Sequence, residues 1–223
     1  MSEFRVGITA DVLKSDGTPI FGEQVLGLFD AAGIAWEFME ASAAVTPAQV
    51  ARYDAICAML TRVTAVTLAG ADRRLKLIAR FGVGYDTIDV AACSAAGVLL
   101  TIAPDGVRRP VATSALTFVL MLAQKVLIKD RLTRSGRWSE KLDHIGTGLT
   151  GRTLGSIGVG NIGAELFRLA RPLEMNGIAH DPVADPALAA ELGVRLVDLE
   201  TLFRESDFLA VNCPHGRQRP AAR

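Results

Sequence analysis

Three glycines at a fixed spacing open the chemical reading of this sequence. Gly158-Val159-Gly160-Asn161-Ile162-Gly163 is a G-x-G-x-x-G set placed between an apolar run at 153–159 and a helical pattern at 162–173. In that setting Gly158 permits a tight turn and Gly160 lets the backbone approach a pyrophosphate. Gly163 lets helix and strand pack closely, and the start of the helix, with Asn161 and Ile162, offers free N–H groups to the anion. The next apolar run, 177–180, ends at Asp181. That is near the roughly 20-residue spacing at which an acid accepts hydrogen bonds from an adenosine ribose 2′-hydroxyl and repels a 2′-phosphate. Strand, glycines, helix, strand and acid in this order predict a dinucleotide site that prefers NAD to NADP.

The elements that must position these residues are legible as alternating patterns. Residues 4–9 alternate with period two, and 34–38, 54–60, 75–79 and 98–102 are further short strand-like runs. Helical stretches separate them at 24–32, ending on Gly33, at 66–69 and at 90–96, and Thr46-Pro47 suits an N-cap followed by Pro at the first helical position. Such alternation predicts a parallel α/β domain over 1–103. After a break at Ala103-Pro104-Asp105-Gly106, Pro110 is expected to open a long apolar helix running through Lys129-Asp130-Arg131. A polar connection then reaches Gly151. From Arg152 a second alternation follows: strands at 153–159, 177–180, 194–197 and 208–212, helices at 162–173, 186–192 and 198–204. The second domain is therefore placed at 104–214, and 215–223 is read as a basic, small-residue tail without apolar periodicity.

Composition excludes several classes. The 223 residues carry 24 Lys+Arg and 24 Asp+Glu, so no net field draws the chain to nucleic acid or an anionic membrane. The three cysteines, Cys57, Cys93 and Cys213, are too scattered for a disulfide framework or metal cluster and suit reduced thiols in the cytoplasm. The first residues show no signal-peptide layout. Val111 to Ile128 is strongly apolar, but Thr113, Ser114, Thr117, Gln124 and Lys125 interrupt it. A membrane span usually needs about 20 predominantly apolar residues, so a buried helix is expected instead.

Other segments carry a family resemblance. Arg80-Phe81-Gly82-Val83-Gly84-Tyr85-Asp86-Thr87-Ile88-Asp89 looks like an R-x-G-x-G-x-D-x-x-D segment, and Leu149 to Gly155 like an L-x-G-K-T-x-G lead into the first nucleotide strand. Gly136-Arg137-Trp138, Ser206-Asp207 and Asn212-Cys213-Pro214 also match. Together they resemble the D-isomer-specific 2-hydroxyacid dehydrogenases, over about residues 1–214. One departure is Val111-Ala112-Thr113, where that family commonly has V-A-E.

The resemblance implies an α/β chain with a flavodoxin-like N-terminal substrate domain and an incomplete Rossmann NAD-binding domain. It implies hydride transfer between a 2-hydroxy acid and its 2-oxo acid, with the carboxylate held by the backbone of the loop at Val83 and Gly84. It further implies that Cys213 and Pro214 line the adenine side, and that the long helix packs across a homodimer interface.

The family's catalytic arginine, glutamate and histidine would follow the fourth strand of the nucleotide domain. Here L-T-x-x-T-x-x-L is replaced after Pro214 by His215-Gly216-Arg217-Gln218-Arg219, which reads as a truncation. His144, His180 and His215 do not fill the catalytic place, and Arg62 and Arg80 are open to either an anionic substrate or ordinary ion pairs. No catalytic residue is assigned, and this chain is expected to be inactive. The alternatives are a non-catalytic remnant that binds NAD or self-associates, and the Rossmann domain of a methyltransferase. The latter fits the glycines but not the Gly82–Asp89 loop.

Overall fold

The computed structural model describes residues 4–70 and 73–213. The chain divides into two compact units, Met1–Pro104 and Asp105–Arg223.

The first unit is a five-stranded parallel sheet. Its strands are β1 (Arg5–Ile8), β2 (Ala35–Phe38), β3 (Ala55–Ala58), β4 (Leu77–Arg80) and β5 (Leu99–Thr101), in the order β2-β1-β3-β4-β5. This is the flavodoxin-like order. Helices α1 (Glu23–Ala31), α2 (Pro47–Val50), α3 (Ala65–Leu68) and α4 (Val90–Ala95) make the crossovers. Strand alternation divides β3 between two cores: Ile56 and Ala58 join Met39, Tyr53 and Ile78, while Ala55 and Cys57 join Val6, Ile8 and Trp36. Short helices start where side chains satisfy their first N–H groups. The Thr46 hydroxyl accepts from the Gln49 amide, and the Gln49 side chain reaches back to the Thr46 N–H, a capping box with Pro47 behind it.

The second unit begins with α5 (Pro104–Ala123) and α6 (Val126–Arg134), followed by a 3₁₀ helix at Trp138–His144. The helices depart from the sequence expectation at two places. The first helix opens at Pro104 rather than Pro110, because a proline serves well at a first helical position. Pro110 lies inside the helix, where its missing N–H frees the carbonyl four residues back, at Gly106. The long helix also does not continue through Lys129-Asp130-Arg131. Lys125 adopts a left-handed conformation (φ 50°), and α5 and α6 meet at a 62° bend. The loop after the 3₁₀ helix seals the break: the Thr147 N–H donates to the Ala123 carbonyl at 2.7 Å, and the Gln124 amide donates to the Thr147 carbonyl at 3.2 Å.

Burial of this apolar segment is one-sided. Ala112, Val119 and Ala123 are buried, whereas Phe118, Leu122 and Leu127 stay largely exposed. Among the described residues no single helix is long and apolar enough to cross a membrane.

The remainder is a four-stranded parallel sheet. It contains β6 (Thr153–Ile157), β7 (Asn176–His180), β8 (Val194–Leu196) and β9 (Phe208–Val211), in the order β8-β7-β6-β9. It is connected through α7 (Asn161–Ala170), α8 (Pro186–Leu192) and α9 (Leu199–Glu205). From β6 the chain moves to β7 and β8 on one side, then crosses back to β9 on the other. The end of β6 is therefore a switch point of the sheet, where open α/β sheets take their ligands.

Candidate dinucleotide site

Register fixes what surrounds that switch point. Ile157 pairs with His180 on one side and Val211 on the other, so the turn after β6 emerges between the ends of β7 and β9. Gly158 has φ +97°, a conformation L side chains rarely adopt, and a Cβ there would lie 3.0 Å from the Asn212 carbonyl oxygen. Its N–H donates to the His180 carbonyl (2.9 Å). Its carbonyl accepts from the buried Ser156 hydroxyl (2.8 Å), which accepts in turn from the Asn212 amide (3.0 Å).

Gly163 sits one turn into α7, and a Cβ on it would run into the Gly158 carbonyl oxygen. This is the close helix–strand packing that its place in the motif requires. At Gly160, the N-cap of α7, a Cβ would meet nothing within 4 Å. The fold does not need a glycine there, so the open space suits a group approaching from outside.

The helix start has the matching electrostatics. No side chain caps α7, which leaves the first-turn amides at Asn161, Ile162 and Gly163 available, at the positive end of a ten-residue helix. By contrast α8 and α9 in the same sheet are capped by their own acids, Asp185 on the Ala187 N–H (2.8 Å) and Asp198 on the Thr201 N–H (2.7 Å). Hydrogen bonds from Thr201 hold the Asp198 carboxyl below the usual range. Among the described residues, the one crossover helix of this unit that starts uncapped is the one in the glycine motif.

Asp181 follows β7 directly and lies beside the turn. Its carboxylate accepts from the Val159 N–H (2.9 Å) and the Val183 N–H (3.0 Å). His180 Nδ1 lies 3.0 Å from the Val197 carbonyl oxygen. Exposed Cys213 follows β9, its backbone N 3.2 Å from where a Gly158 Cβ would be, while Pro214 lies outside the described residues. Behind the turn, Glu165 of α7 is nearly buried and bonds Arg109 of α5 at 2.7 Å. That bond, with Arg168 adding to it, keeps the carboxyl below its ordinary range.

Val83 and Gly84 belong to the first unit, on the loop after β4. That loop is pinned at both ends: the Phe81 N–H donates to Ala58 (2.7 Å), and the Asp89 N–H donates to Val63 (2.8 Å). Gly82, at φ +120°, accepts from the Ala103 N–H (2.9 Å), and the Phe81 ring stacks on Phe21. Val83 at the apex is exposed. Arg80 begins the loop, its Nε buried and without a hydrogen-bond partner among the described residues, and Arg62 is exposed.

Comparison with known proteins accords with this geometry. Residues 116–219 match the D-isomer specific 2-hydroxyacid dehydrogenase, NAD binding domain. That matched segment belongs to the D-isomer-specific 2-hydroxyacid dehydrogenases, and similar proteins extend the likeness over most of the chain. The chain is 36% identical over 171 residues to D-3-phosphoglycerate dehydrogenase of Archaeoglobus fulgidus, covering 76% of this chain and 32% of that protein. It is 33% identical over 172 residues to glyoxylate reductase of Thermococcus litoralis, covering 74% and 52%. It spans about a third to a half of the length of these relatives. The fold is similar to that of D-lactate dehydrogenase from Aquifex aeolicus complexed with NAD and lactic acid, with TM-score 0.77 and 23% identity, covering 95% of this chain and 61% of that one.

The sequence motifs assigned no role to three residues that shape the site, Ser156, Val159 and Asn212. Ser156 and Asn212 tie the turn to β9, and Val159 ties it to Asp181. Asn212 carried a signal, a polar residue ending an otherwise apolar strand. Ser156 sits inside a strand and carried none.

Proposed function

We propose that this chain supplies the cofactor- and carboxylate-binding parts of an NAD-dependent D-2-hydroxyacid dehydrogenase, which interconverts a 2-hydroxy acid and its 2-oxo acid. The observation that carries the reading is the uncapped, open turn at Gly160 with Asp181 beside it. The first-turn amides of α7 bind the pyrophosphate, Asp181 accepts from the adenosine ribose hydroxyls, and Cys213 and Pro214 border the adenine. When bound, NAD supplies the hydride acceptor at its nicotinamide ring. The first unit is the substrate domain, where the backbone at Val83 and Gly84 holds the substrate carboxylate. The Asp181 carboxylate disfavours a 2′-phosphate, so NAD is preferred over NADP. The exposed apolar face of α5 and α6, with Phe118, Leu122 and Leu127, is the surface through which two copies pair as a homodimer. Scattered free thiols fit the cytoplasm.

A second reading is a module that binds NAD without turnover. Hydride transfer to a 2-oxo acid needs a proton donor at the carbonyl, usually a histidine. His180 is tied to Val197, His144 ends a 3₁₀ helix, and His215 lies outside the described residues. NADH oxidation against a panel of 2-oxo acids separates the two. Turnover with any of them supports the enzyme, and cofactor binding without turnover supports the module.

A further inference from the structure

We propose that Asp181 is a lock on the glycine turn, so that its carboxylate sets the shape of the pyrophosphate site for NAD and NADP alike. Two consecutive N–H groups of the turn reach toward the end of β7. The Gly158 N–H meets the His180 carbonyl at 2.9 Å, and the Val159 N–H meets Asp181 Oδ2 at 2.9 Å. Val159 is 3% exposed and packs in the core with Leu154, Ala164 and Leu166. Water therefore replaces a lost acceptor at its amide poorly, and an unsatisfied donor in such a place destabilises the geometry that created it.

The other oxygen, Oδ1, accepts from the Val183 N–H at 3.0 Å, which fixes the carboxylate plane through its own following turn. A carboxylate offers about four acceptor positions, so one remains on each oxygen for ribose hydroxyls. Turn shape and ribose recognition thus meet in one side chain. The turn's opposite flank is held through Ser156 and Asn212, which leaves Asp181 as the side-chain anchor on the β7 flank.

The lock makes a prediction opposite to that of charge repulsion alone. If Asp181 only repelled a 2′-phosphate, Asp181→Ala would gain NADP affinity. With the lock, Asp181→Ala weakens NAD and gains nothing for NADP, because the amides that hold the shared pyrophosphate lose their arrangement. Asp181→Asn behaves similarly, since its NH₂ must face either the Val159 or the Val183 N–H, donor against donor.

The experiment is residue-resolved amide exchange on the cofactor-free chain and its two variants, with calorimetric binding of NAD and NADP. The binding arm rests on the proposed NAD reading, whereas the exchange arm does not. Expected is a Val159 amide that exchanges at least about tenfold faster in both variants, a shift of ~1.4 kcal/mol in its opening. The buried Leu166 amide of α7 stays unchanged. Unchanged Val159 exchange, acceleration shared equally by Leu166, or tighter NADP binding by Asp181→Ala than by wild type overturns the lock. If the wild type binds neither cofactor, the NAD reading fails and the exchange result alone decides the lock.

Discussion

Two turns in this chain look alike in sequence and differ in what they leave open. Each follows a parallel strand, each bends at a positive-φ glycine (Gly82 at +120°, Gly158 at +97°), and each leads toward a helix. At the first, Asp89 caps α4 by accepting from the Ala92 N–H at 2.9 Å, so the helix start already holds a negative charge. At the second, Gly160 caps α7 with no side chain at all. A helix that supplies its own anion has no use for a ligand's, whereas one that withholds it is ready for a phosphate. That carboxylate is one difference between the turn proposed to bind a dinucleotide and the turn proposed to present loop backbone.

The glycines themselves give the largest expected effects. Gly163→Ala drives a Cβ into the Gly158 carbonyl, and overpacking of this kind costs about 1–3 kcal/mol. The second unit is expected to melt earlier by a corresponding amount in calorimetry while the first holds. Gly160→Ala is the sharper probe. Its Cβ meets nothing within 4 Å, so melting is expected to stay within about 0.5 kcal/mol of wild type while NAD binding falls steeply. A Gly160→Ala chain that binds NAD normally would break the comparison, because the space would then serve no ligand.

A smaller effect is expected at the capped turn. Asp89→Ala removes the cap of α4 and costs about 1 kcal/mol by thermal unfolding. NAD binding is unaffected, and a loss of NAD affinity would show that the two turns are not independent.

The smallest effect is a difference in pH response. Burial, with a 2.6 Å hydrogen bond to Glu37, pushes the Tyr53 hydroxyl up to about 12. A raised pKa means the folded state holds its proton more tightly. The contribution is complete below pH 10, the unfolded value, and is lost as pH climbs through 12. Burial raises the Cys57 thiol as well, with the same sign. Both groups lie in the first unit, so melting monitored by unit is expected to show that unit weakening first between pH 10 and 12. Tyr53→Phe removes part of the trend, and an equal loss in both units would contradict it.

Much of this was legible in the sequence because the determinants are local. The glycine spacing, the Thr46-Pro47 start and the Pro186–Leu192 helix are set by residues a few positions apart. What was not legible depends on contacts between distant residues. The break at Gln124-Lys125 is sealed by Thr147, and a left-handed lysine carries no sequence signature. The helix start at Pro104 was hidden by Pro110, since a proline inside a helix reads locally as a beginning. Asp181 was legible as an acid at the right spacing. Its bond to Val159 was not, because it depends on how the ends of β6 and β7 align.

The turn at Gly158–Gly163, with Asp181 beside it, is proposed as an NAD site. Titration calorimetry of the wild-type chain with NAD, NADP and ADP-ribose tests it most directly. Expected is binding of NAD and ADP-ribose, with NADP weaker by about tenfold or more, a difference of ~1.4 kcal/mol. NADP bound as tightly as NAD, or no binding by any of the three, would contradict it.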